Sequence, residues 1–241
     1  EAIKYGFIDE NIILFDKEIG GRYSIWSPIA EVPLLNETSY KDFITGGYQA
    51  DIDIMKNKKY FEFVQRLSYA DIWYNNFKNI NTRAVLSYIW RFRSLPDYFQ
   101  QLEMESLGKK ANSKSNYKKT SQIVFGGYGP KAQHSYFQLF HQGTQKISID
   151  VIASSEDVKS LSYAQALTQS EILSQKTKVQ EEQEQINSNT PVNLFLLKKS
   201  DSFSLGYLIA TWEYRTFISS IMLEINPFDQ YGVEVGKKLT R

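Results

Sequence analysis

Thr82–Trp90, TRAVLSYIW, runs straight into Arg91–Lys109, RFRSLPDYFQQLEMESLGK, and this junction decides the fold. The first segment is a short apolar run of strand character. The second opens as a helix: the Ser94 hydroxyl can cap it, Pro96 falls in its first turn, and Asp97 sits at the positive end of the helix dipole. Gly108 supplies a stop. The same strand-then-helix order recurs downstream. Ser121–Phe125 (SQIVF) is a strand, a glycine-rich loop Gly126–Pro130 follows it, and Lys131–Gln142 is helical. Ile147–Ala153 (ISIDVIA) precedes a long polar helix over Leu161–Ile186, and Pro191–Leu197 (PVNLFLL) precedes an apolar helix over Ser204–Ile225. Alternation of this kind predicts an α/β fold, a mostly parallel sheet covered on both faces.

Upstream, Glu1–Tyr5 reads as a helix end stopped by Gly6, and Asn11–Asp16 (NIILFD) as a buried strand. Tyr40–Met55 and Lys58–Phe77 read as aromatic-rich packing helices, and Phe228–Leu239 as a last helix. Because the chain starts at Glu1 and stops at Arg241 inside a helical pattern, it is expected to be a piece of a longer protein.

Its 241 residues are 42% hydrophobic and 15% aromatic, enough for a sizeable core. With 28 lysines and arginines against 27 aspartates and glutamates, the chain has no basic block to track a nucleic-acid backbone, so no nucleic acid is expected as a partner. It has no cysteine, which removes disulfides, thiolate nucleophiles and cysteine-rich metal sites. No apolar run approaches a membrane span and no charged-then-apolar leader opens the chain, so no membrane partner and a cytoplasmic location are expected.

Three stretches carry candidate chemistry. Gly20, Gly21 and Arg22 form a tight turn into a hydroxyl-capped run, leaving backbone N–H groups and a guanidinium for an anion. On the 95–107 helix, Glu103 and Glu105 point about 200° apart at the helical period, so only one faces a given pocket. Glu105 lies at the C-terminal end, where the dipole disfavours an anion and favours a general base working near neutral pH. Two glutamates on a helix are ordinarily just solvated. On the 131–142 helix, His134, Gln138 and His141 share one face. No third ligand lies near the two histidines, so no metal is expected. In an open parallel sheet ligands bind beyond the strand carboxyl ends, where the GGR turn, the Glu105 region and the GGYG loop are expected to converge.

Four stretches together, GGRYSIWS at 20–27, FQQLEMESLGK at 99–109, QHSYFQLFHQG at 133–143 and NPFDQYGVEVGKKL at 226–239, resemble the glucose-6-phosphate isomerase (phosphoglucose isomerase) family, in the same order and across nearly the whole chain. The resemblance implies a sugar-isomerase-type three-layer α-β-α sandwich with a C-terminal helical arm. Residues 1–57 would end a first sugar-isomerase domain, 58–225 would hold the connecting helix and the second, and 226–241 would start the arm. It implies interconversion of glucose 6-phosphate and fructose 6-phosphate by ring opening and proton transfer through a cis-enediol, in glycolysis and gluconeogenesis, with no cofactor. Glu105 is then the base, Arg22 stabilises the enediolate, and His134 and Lys237 serve ring opening. Gln101, Gln230 and Gly21 are implied in substrate binding. The resemblance also implies a homodimer in which His134 comes from the neighbouring subunit, and a serine- and threonine-rich phosphate loop lying upstream of this chain. Leu107 stands where the family usually has asparagine, and Gly127–Ala132 (GYGPKA) replaces its G-T-N-G-like loop. Pro28 and Ala30 soften the pattern after GGR. The alternative is a non-catalytic sugar-phosphate-binding module that keeps the fold.

Overall fold

The computed structural model describes residues 2–30, 39–175 and 181–240. Four strands, β1 (Thr82–Ser87), β2 (Ile123–Tyr128), β3 (Ile147–Ser154) and β4 (Val192–Leu197), form a wholly parallel sheet in the order β2-β1-β3-β4. β3 is buried along its whole length, as expected of a strand covered on both faces.

Alternation along the strands sorts the side chains into two layers. Ala84, Leu86, Ile149, Val151 and Ala153 meet the short helices α4 (Gly129–Ala132) and α5 (Phe137–Gln142) and the helix α6 (Leu161–Ser174). Val85, Val124, Ile152 and Phe195 meet the opposite layer, made of α1 (Tyr40–Lys56), α2 (Lys58–Phe77), α3 (Leu95–Leu107) and α7 (Ser202–Leu223). The architecture is therefore the expected three-layer α-β-α sandwich. A last helix, α8 (Tyr231–Thr240), buries none of its residues.

In the second layer α1 and α7 cross backbone against backbone. A Cβ on Gly46 would strike the Phe203 carbonyl, and one on Gly206 the Phe43 carbonyl. Gly47 faces the Trp26 ring, which stacks on Phe43 at 4.9 Å. The 3-10 turn Gly21–Trp26 is thereby seated on the same core as α3 and α7.

Several expectations need correction. Asn11–Asp16 is not a strand: only Asp9–Asn11 is regular, as a 3-10 turn, and Leu14 is 83% exposed. An apolar, β-branched run with no neighbouring strand has nothing to pair with. The 131–142 helix is broken between α4 and α5, with Tyr136 at φ −133°. The break lets Phe137 and Phe140 both turn into the core, and it dissolves the shared face of His134, Gln138 and His141. The helix expected to reach Ile186 ends at Ser174, one residue past Leu173, its last buried side chain. Beyond that point the sequence offers no apolar face to hold a helix. Glu182–Glu184 is a 3-10 turn, and residues 176–180 of that expected helix lie outside the described residues. The last helix starts at Tyr231, three residues later than read from sequence.

Candidate functional site

The core of the site is Arg22. Its side chain is buried, yet every nitrogen has a partner: Nε donates to Ser106 Oγ at 2.9 Å, Nη1 to Gln230 Oε1 at 2.9 Å, and Nη2 to the Pro227 and Asp229 carbonyls at 2.7 and 3.1 Å. Nη1 also pairs with Glu105 Oε1 at 2.9 Å, and the Glu105 side chain is 22% exposed. Gln101, one turn back on α3, donates to Glu105 Oε2 at 3.3 Å. Arg22, Glu105, Gln101 and Gln230 therefore meet at one place although up to 208 positions separate them in the chain. A carboxylate held open to a cleft by a fixed guanidinium can accept a proton while the guanidinium answers negative charge developing beside it.

The cleft has a volume of about 580 Å³ and lies between the end of α3 and the loop into α8, with Glu105, Lys109, Asp229, Gln230 and Val233 on its walls. Lys109 clamps those walls together. Its ammonium donates to the Asp229 and Asn226 carbonyls at 2.6 and 3.2 Å and pairs with the Asp229 carboxylate at 3.1 Å. Leu107 is buried, so the position next to Glu105 where the family carries asparagine faces the core in this chain.

The remaining candidates lie elsewhere. His134 is exposed in the turn after α4, beyond the carboxyl end of β2, and no contact joins it to Arg22 or Glu105. Lys237 is exposed on α8, one turn past the cleft residue Val233. Gly21 opens the 3-10 turn next to Arg22 and is exposed. The expected convergence at the strand carboxyl ends does not occur within the chain. α3 runs back antiparallel to β1, so its C-terminal end comes to the amino end of β2, where the Met104 Sδ accepts from the Val124 N–H. The GGYG segment, expected as a loop, is the other end of that strand: Gly126–Tyr128 continue the pairing of β2 with β1 and Gly129 opens α4. His141 is half-buried, and burial lowers its pKa, opposed by the neighbouring Gln169 side chain.

Sequence reading missed two sets of residues. The first is a carboxyl behind the Arg22 turn. Glu213 of α7 accepts from the Trp26 indole N–H at 2.8 Å, and the Tyr98 hydroxyl lies 3.1 Å from Glu213 Oε1 and 2.9 Å from the Arg22 backbone carbonyl, its one proton shared between the two acceptors. Burial pushes the Glu213 carboxyl up to about 7, against both hydrogen bonds. Tyr23 closes the ring of contacts through Ser106 Oγ at 3.2 Å, and burial raises its hydroxyl.

The second is a buried charge network on the sheet face below α3. Arg83 pairs with Asp71, Glu103 and Asp150, while Arg215 holds Asp71 at 2.7 Å and Asp150 at 2.8 Å. Glu103 accepts from the Trp212 indole at 2.6 Å, and Asn193 caps Asp150 at 2.7 Å. Burial raises the Glu103 carboxyl in spite of Arg83 and Arg215. Asp71 is lowered, because the two guanidiniums outweigh its burial. The signal was available in both cases: charged residues inside apolar runs such as TRAVLS, ISIDVI and IATWEYRTF have to find partners.

Comparison with known proteins adds an independent line. The family model described as phosphoglucose isomerase matches residues 1–241. The glucose-6-phosphate isomerase of Acinetobacter venetianus is 36% identical over 98% of this chain and 48% of its own length. Glucose-6-phosphate isomerase 2 of Neisseria meningitidis is 32% identical over 100% and 49%. The crystal structure of a glucose-6-phosphate isomerase from Chlamydia trachomatis superposes with a TM-score of 0.83 at 25% identity, covering 94% of this chain and 47% of that one. A hypothetical protein of Thermus thermophilus shares the fold, with a TM-score of 0.77 at 23% identity over 100% of this chain and 58% of its own. The chain spans about half the length of the curated relatives it matches.

Proposed function

Because the chain belongs to the phosphoglucose isomerase family, we propose that the protein of which it is part interconverts glucose 6-phosphate and fructose 6-phosphate in glycolysis and gluconeogenesis, in the cytoplasm. The observation that carries the reading is the Arg22–Glu105 pair at 2.9 Å, open to a cleft with Gln101 and Gln230 on either side. In the opened sugar the Glu105 carboxylate takes the proton from C2 and returns it to C1 of the cis-enediol, so the base is regenerated in each turnover. Arg22 bears the charge that develops on the enediolate oxygen. Its other donors are already committed to Ser106, Pro227 and Asp229, so it needs no reorganisation during the reaction. Gln101 and Gln230 supply neutral amides for sugar hydroxyls, with Gly21 at the edge of the substrate.

His134 and Lys237 are assigned to ring opening. The separation of His134 from Glu105 within one chain favours its delivery by the neighbouring subunit of a homodimer. The division into the end of a first sugar-isomerase domain (1–57), a second (58–225) and the start of a helical arm (226–241) belongs to the same reading.

The test is a coupled assay of fructose 6-phosphate conversion with the full-length protein. Glu105→Gln is expected to lower turnover by at least about 10³-fold while the unfolding midpoint stays put. Near-normal turnover would overturn the assignment of the base. Sugar-phosphate binding without turnover in the unmodified protein would instead support the binding-module alternative. Mixing Glu105→Gln with His134→Ala subunits and allowing exchange should restore part of the activity, since one site of the mixed dimer is then intact. No restoration would place both residues in a site made by one chain.

A further inference from the structure

We infer that Glu213 is a positioning residue for Arg22, holding the Gly21–Trp26 turn at two points so that the guanidinium stays aimed at Glu105; the inference rests on the proposed isomerase site. The two attachments are Trp26, bonded directly to the carboxyl at 2.8 Å, and Tyr98, whose hydroxyl bridges the carboxyl and the Arg22 carbonyl at 3.1 and 2.9 Å. These contacts link α7, α3 and the turn around one side chain. Trp26 itself has little freedom, clamped between Phe43 and the bare backbone at Gly47.

Glu213 has no fold-stabilising explanation of the usual kind. It is half-buried at the wall of a cavity, yet among the described residues no lysine or arginine pairs with it. The groups that face it are Trp26 and Tyr23 on the turn, Tyr98 on α3, and Asp51 on α1, whose negative charge opposes its ionisation; Tyr214 follows it on α7 and bonds Asp51 at 2.7 Å. A carboxyl kept in such a place fits a task that needs two acceptor oxygens. When ionised, Glu213 accepts a charge-assisted bond from Trp26 and shares the single Tyr98 hydroxyl proton with the Arg22 carbonyl. When protonated, one of those bonds must become neutral or reverse, and each neutral bond is roughly half as strong. Burial sets that change near pH 7.

Glu213→Gln keeps the shape and removes the charge, so it imitates the protonated carboxyl. In the full-length protein at pH 8 it is expected to lower kcat about fivefold to tenfold with KM within about twofold, the signature of an interaction used mainly in the transition state. At pH 6 the ratio of unmodified to variant kcat should fall toward one, because the unmodified carboxyl is then protonated too. Taking the ratio at each pH cancels the titration of substrate and of other groups. Tyr98→Phe should reproduce the loss at pH 8, and the double variant should be no worse than either single one. Hydrogen exchange of the Gly20–Ser27 segment gives a readout that needs no turnover: it should be faster in Glu213→Gln than in the unmodified protein at pH 8, with the α6 segment unchanged. A pH-independent kcat ratio of one, or unchanged exchange in that segment, would overturn the inference. Absence of isomerisation in the unmodified protein would overturn the isomerase reading, and the exchange measurement would still decide whether Glu213 holds the turn.

Discussion

Glu103 and Glu105 stand two residues apart on α3 and serve two unconnected charge systems. Glu105 meets Arg22 at the edge of a cleft, while Glu103 is buried between Arg83 and the Trp212 indole. The helical period separates them by about 200°. One helix thus locks itself to the sheet with one carboxylate and leaves the other open to the cleft.

Removing Glu103 should therefore damage the fold and leave the cleft residues untouched. Glu103→Ala strips one carboxylate from Arg83 and leaves the Trp212 N–H unpaired in the interior, at a cost of about 3–5 kcal/mol. Glu103→Gln keeps the indole bond and should cost less, because burial already favours the uncharged acid there. Urea unfolding of both variants checks this ordering; equal losses would mean that the charge of Glu103, rather than its hydrogen bond to Trp212, is what matters.

Lys109 gives a prediction of the opposite kind. Its ammonium ties Asn226 and Asp229 to the end of α3, and the same loop carries Gln230. Lys109→Met should lower kcat/KM about tenfold or more by loosening that wall, with a stability loss of about 1–2 kcal/mol. Asp229→Asn should be milder, because the Asp229 carbonyl still receives Lys109 and Arg22. An Asp229→Asn defect as large as that of Lys109→Met would show that the carboxylate, not the backbone, holds the clamp.

The glycines at the crossing of α1 and α7 test the packing that seats the Arg22 turn. Gly206→Ala places a methyl against the Phe43 carbonyl, and neither helix backbone can step aside. A loss of about 1–3 kcal/mol is expected in thermal or urea unfolding. Gly236→Ala, on α8 with open space around it, should be neutral or slightly stabilising and serves as the control.

What could be read from the sequence follows from how local each signal is. The strands β1, β3 and β4 announce themselves because each is an apolar run bounded by turn residues, and the helices α2 and α7 because they are long. Arg22 and Glu105 stand out in short local stretches, and Gln101 and Gln230 follow from the family resemblance, although only the fold brings the four within hydrogen-bond reach. Arg83 and Asp150 escaped notice because their meeting depends on sheet order: they lie on adjacent strands, offset by two residues in register, and the order β2-β1-β3-β4 is not written in either segment. Asn11–Asp16 failed the other way, since a good strand composition means little without a partner strand.

Glu213 makes the last prediction, on stability rather than rate. Its pKa rises from 4.5 to about 7 on folding. Between those values the folded state holds a proton that the unfolded state has released, so this group's contribution is fully present below about pH 4.5 and is lost as pH climbs through about 7. The span corresponds to roughly 3 kcal/mol. Glu213→Gln has no proton to lose, so the difference in unfolding free energy between variant and unmodified protein should shift in favour of the variant from about pH 4.5 to 7 and stay level above. Comparing the two proteins cancels the acid limb of Asp71, whose lowered pKa acts in the opposite sense. A variant that gains stability at pH 8 while losing kcat there would identify an ionised carboxyl kept against the stability of the fold for the sake of Arg22. If the variant instead loses stability steadily toward pH 8, the ionised carboxyl is stabilising the fold, and its surroundings do not hold the Glu213 proton as argued.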